Sequence, residues 1–106
     1  PQDDLTTHGT LFLGYIYIFR LGNYITMEPG SESQFSCREG AAGCRIIQLI
    51  TEVGDTVDKL GPGHNTRCRI AIESDIPITK GMPFACKIGG VIVAEGAVTE
   101  VLRHGL

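Results

Sequence analysis

Glycine and proline interrupt this chain so often that the segments between them are short, and those segments read as strands. The sequence holds 14 glycines and 5 prolines in 106 residues. Glycine breaks regular structure through its backbone freedom, proline through its fixed φ and missing N–H. The clearest segment between breakers is Thr66–Glu73. Cys68, Ile70 and Ile72 fall on one face of it, with Arg67, Arg69 and Glu73 on the other. That is the period-two pattern of a half-buried strand.

The other segments read in the same way. Thr10–Arg20 (TLFLGYIYIFR) is rich in β-branched and aromatic residues and predicts a strand. Gln34–Arg38 alternates polar with apolar, Glu39–Gly43 (EGAAG) predicts a turn, and Cys44–Glu52 predicts the returning strand. Val53–Asn65 is a second turn region ending in Gly61-Pro62-Gly63, and Ser74–Pro83 is a loop or broken edge. Phe84, Cys86 and Ile88 then alternate inward against Ala85 and Lys87. Gly89-Gly90 is a two-residue hairpin signal, and Gly96 within the last strand, Val91–Leu102, predicts a bulge or bend. Leu21–Ser33 is a connection. The polar stretch Pro1–Gly9 reads as a flexible lead-in, which leaves one domain over residues 10–104. Six strands joined by turns, without a convincing helix of three turns, predict a small antiparallel barrel or sandwich.

Hydrophobic residues make up 42% of the chain, enough for one core without disulfides or a metal. The net charge of -3 and pI of about 5.5 count against a stand-alone, high-affinity nucleic-acid binder, because phosphate contacts need cations. They leave room for a local basic patch. Arg67 and Arg69 point to the same side, and with Arg38, Arg45 and Lys87 they predict a basic face. The competing reading pairs these cations with Glu39, Glu73 and Glu100 across the surface. An exposed apolar patch at Met82, Pro83 and Ile88 would instead favour a protein partner.

No recognisable catalytic constellation is present. There is no G-x-x-x-x-G-K-[ST] loop to cradle a nucleotide, so the chain cannot be a GTPase on its own. His8, His64 and His104 are scattered, and no serine or cysteine near them forms a nucleophile motif. Cys37 and Cys44, separated by six residues across the first hairpin, could approach each other. Zinc ligands usually stand closer in sequence, and core packing is the default for free cysteine. No catalytic residue, metal ligand or cofactor is therefore expected. Without a secretory leader or an Asn-x-Ser/Thr acceptor, the expected setting is the cytoplasm with reduced thiols. The longest apolar run, Leu11–Phe19, is too short to span a bilayer, and neither membrane nor DNA is an expected partner.

Three segments then carry a resemblance. Gln34-Phe35 with Arg38 precedes a glycine-bearing turn and an isoleucine-containing strand. Pro62-Gly63-His64-Asn65 leads into the next strand, and PITKGMPFACKIGGVIVAEGAV runs from Pro77 to Val98. In this order they resemble the third, C-terminal domain of translation elongation factor Tu, over about two thirds of the chain. The resemblance implies an all-β fold, a small closed six-stranded antiparallel β-barrel with no catalytic function. In that family the barrel packs on the second barrel, contacts the GTPase domain and exchange factor, and touches the T-arm of aminoacyl-tRNA. The positions matching the T-arm surface are Gln34, Arg38, Lys87 and Gly89. With Arg67 and Arg69 they form the expected RNA-contacting set. The implied function is a non-catalytic binding domain that contacts tRNA or a translation factor in protein synthesis. The alternative is a free-standing protein–protein interaction barrel, engaged through exposed loops, that has left translation.

Overall fold

Residues 9–20 and 25–105 are described by a computed structural model of the chain. Apolar residues at alternate positions make each strand two-faced, and the strands bury their apolar faces by curling into one barrel. They are β1 (Thr10–Ile18), β2 (Glu32–Cys37), β3 (Gly40–Ile50), β4 (Asn65–Ile72), β5 (Pro83–Ile88) and β6 (Val91–Arg103). Their order around the wall is β1-β4-β3-β2-β5-β6, and β6 pairs back onto β1. The fold is thus all-β, a closed six-stranded antiparallel barrel.

Phe12, Phe35 and Phe84 form the centre of the core. Their ring centroids lie 5.4–5.8 Å apart, two pairs edge-on and one stacked. Ile16, Ile46, Ile70, Ile72 and Val98 fill the space around them. Met27 and Leu60 exchange backbone hydrogen bonds of 2.9 and 2.7 Å where two connections cross one end, and both side chains join the core. At the other end, Ile78 from the β4–β5 connection is buried in the same cluster. Both buried threonines are satisfied: Thr66 Oγ1 donates to the Ile50 carbonyl at 2.7 Å, and Thr10 Oγ1 to that of Ser74 at 3.2 Å.

Several local expectations are corrected. The first hairpin turns at Arg38-Glu39, not over Glu39–Gly43, and β3 begins at Gly40. Gly43 lies inside the strand, and the Glu73 carboxylate occupies the space a Cβ would need. Gly96 marks no bulge either. It stays in register with Ile16 and Phe84, while the ladder slips at Cys86/Lys87 on one side and near Leu11–Gly14 on the other. Ile88 is 39% exposed rather than buried, because it ends β5 at the hairpin tip, beyond the cover of the core. Gly89 and Gly90 do take positive φ, 60° and 80°, as a two-residue primed turn requires. The predicted lead-in, apart from Gly9, and residues 21–24 of the first connection lie outside the described residues.

The thiols are also placed differently. Cys37 is opposite Gly40 and Cys44 opposite Ser33, so the two cysteines do not face each other across the hairpin. Cys44 lies 3.3 Å from Ser33 Oγ and shares a hydrogen bond with Cys86 inside the barrel. That bond holds the Cys44 thiol below its ordinary pKa and pushes Cys86 well above it, with burial adding to the rise. Burial pushes Cys68 up to about 12. Access governs reactivity here, since only Cys37 among the four is not fully buried. Ellman's reagent is expected to label one thiol rapidly in the native protein and the other three only after denaturation. A second fast thiol in native protein would contradict this placement.

Candidate partner-binding surfaces

Strand order decides which cations can act together. β4, which carries Arg67 and Arg69, and β5, which carries Lys87, are three strands apart in either direction around the wall. Outward side chains on them therefore point to opposite sides of the barrel. Arg45 on β3 is bound to Glu32, Nη2 to Oε2 at 2.7 Å. Arg67 Nη2 donates to the carbonyls of Thr51 and Glu52 at 2.8 and 3.4 Å, strapping the β3–β4 connection to the wall. The five predicted cations do not make one basic face. Among the described residues Arg45 pairs with Glu32 rather than with Glu39, Glu73 or Glu100.

The four positions matched to a T-arm surface fare differently. Phe35, Phe84 and Cys86 point inward, so Gln34, Ser36, Ala85 and Lys87 face out. Gln34 is the register partner of Lys87, and Ser36 of Ala85. Arg38 lies just past one end of β2, four residues from Gln34 and about 13 Å along the strand. Gly89 follows β5 at the other end. Gln34, Arg38, Lys87 and Gly89 therefore share one outward strip along β2 and β5. Arg67 and Arg69 lie across the barrel from it.

The strip ends in a cleft of 430 Å³ that holds a cation the sequence reading passed over. Arg38, Glu39, Pro77, Lys80, Met82 and Pro83 are among the residues that line it. Lys80 sits among breakers in Pro77–Pro83, where no strand periodicity gave its side chain a direction. Met82 and Pro83 thus accompany Arg38, while Ile88 is at the opposite end of β5. There Ile88, Val91 (63% exposed) and Ile92 (45%) make a small apolar hairpin tip instead.

On the far side of β6, the outward residues of β1 include Tyr15 and Tyr17. This too was legible in the alternation of TLFLGYIYIFR, which sets them opposite Phe12 and Ile16. A groove of 520 Å³ lies between Tyr15 and the β3–β4 connection and is lined by Glu52, Lys59, His64 and Asn65 among others. Among the described residues, no group of three or more His, Cys, Asp or Glu could hold a metal ion. No helix there is long and apolar enough to cross a membrane. No known protein-family profile matches the chain.

Proposed function

We propose that this protein is a non-catalytic binding barrel of the translation apparatus that contacts RNA through the β2–β5 strip. The observation that carries the reading is the shared strip of Gln34, Lys87, Arg38 and Gly89, extended by Lys80. Lys87 and Arg38 present cations to phosphates, Gln34 adds an amide beside Lys87, and Gly89 leaves a backbone turn uncrowded by a side chain. Three cations over such a length grip a few phosphates and no more. The net charge of -3 then keeps the isolated domain's affinity modest and strongly salt-dependent.

Binding to bulk tRNA across a salt titration tests this. With Arg38, Lys80 and Lys87 engaged, log K is expected to fall against log salt with a slope of about -2 to -3. Affinity then drops roughly 15- to 60-fold between 50 and 200 mM salt. An Arg38→Ala/Lys87→Ala variant should remove about two units of slope. Arg69→Gln, on the opposite wall, should change neither slope nor affinity. Absence of binding at low salt, or equal effects from both walls, would overturn the reading.

A further inference from the structure

The outer rows of β1, β6 and β5 form a second surface with a different chemistry. Tyr17 is the register partner of Glu95, and Glu95 of Ala85. One pleat away, Tyr15 is the partner of Ala97, and Ala97 of Pro83. Two tyrosines thus stand along one side and Pro83 on the other. The small residues Gly96 and Ala97 keep the floor between them low. The result is a groove of 420 Å³ with the Glu95 carboxylate exposed in its wall.

Charge and ring geometry select the occupant. No lysine or arginine lines the groove. Glu95 has no hydrogen-bond or ion-pair partner among the described residues. Tyr15 and Tyr17 are 38% and 36% exposed, enough ring surface for a planar group to lie against. The Tyr15 hydroxyl is bound to Glu52 Oε1 at 3.2 Å, which fixes the direction of that ring. An aromatic face attracts a cation through its quadrupole, and arginine stacks best because its guanidinium is flat. A carboxylate beside the ring adds a charge-assisted hydrogen bond. An acidic or phosphate-bearing ligand meets repulsion from Glu95 and finds no cation in the lining.

We infer that the Tyr15–Tyr17–Glu95 groove seats an arginine side chain presented by a protein partner, the guanidinium against the rings and bonded to Glu95. The site is distinct from the RNA-contacting strip: only Pro83 borders both, and its charge is the opposite one. Titration of ¹⁵N-labelled protein with the capped peptide acetyl-Gly-Arg-Gly-amide tests it. Saturable amide shifts are expected at Tyr15, Tyr17, Glu95 and Ala97, and none with the isosteric citrulline peptide, which lacks the charge. Glu95→Gln and Tyr17→Leu should each weaken binding about five- to tenfold. Glu100→Gln, an exposed carboxylate farther along β6, should leave it unchanged. Shifts spread over many carboxylates, equal losses from Glu95→Gln and Glu100→Gln, or no shifts at all would overturn the assignment. Glu95→Gln should still bind tRNA as wild type does, so failure at one surface is distinguishable from failure at the other.

Discussion

Gly96→Ala is expected to be the most damaging single-methyl change in this barrel, lowering stability by at least about 3 kcal/mol. A Cβ at Gly96 would overlap the Tyr15 carbonyl oxygen and approach the Phe84 ring to 2.9 Å. The oxygen belongs to backbone in the β1–β6 ladder, so relief requires the two strands to separate where the barrel closes. Gly96 needs no positive φ, so the demand is one of space alone. Gly54 supplies the contrast: its φ is +93° but nothing stands near its missing Cβ. Gly54→Ala should therefore cost only about 1–2 kcal/mol, the left-handed backbone penalty. Urea unfolding followed by far-ultraviolet circular dichroism compares them. Equal midpoints for the two variants would refute the close-approach account.

Phe12→Ala is the second large effect, a loss of about 3–5 kcal/mol. Phe12 is fully buried and makes edge contacts with both Phe35 and Phe84, so its removal opens a cavity at the junction of three strands. A domain of this size has only about 5–15 kcal/mol in total, so the variant should be partly unfolded near body temperature. Phe12→Leu keeps most of the volume and should lose about half as much or less. The same urea titration decides. A Phe12→Ala midpoint within error of Phe12→Leu would mean that the wall collapses into the gap, and that the aromatic trio does not organise the core.

Where one face of a strand is buried, its place was plain in the sequence. Thr66–Glu73 differs from β4 by one residue at each end, since Cys68, Ile70 and Ile72 can only point inward together. Glycine misled where it marks close approach rather than a turn. Gly43 makes room for the Glu73 side chain and Gly96 for the backbone of β1, and both contacts join segments far apart in sequence. The basic face failed for a related reason. Alternation tells which side of a strand a residue takes, but not which strands are neighbours. That Lys87 lies beside Gln34 and far from Arg69 follows from the wall order alone. Lys80 was hidden by its loop, and the Tyr–Glu groove by the need to know that β6 lies between β1 and β5.

Closure by β1 against both β4 and β6 has a consequence for how the chain assembles. β1 leaves the ribosome first among the six strands, yet its partners Asn65–Ile72 and Val91–Arg103 emerge much later. Until they do, its aromatic-rich backbone has two open hydrogen-bonding edges and no ladder to join. Most contacts that define the wall span long stretches of sequence, so folding should be slow for a domain this small and concentrated in a late, all-at-once step. The first strand made gains its second neighbour only when the last strand is made, and the nascent chain is most exposed to mispairing in the interval between.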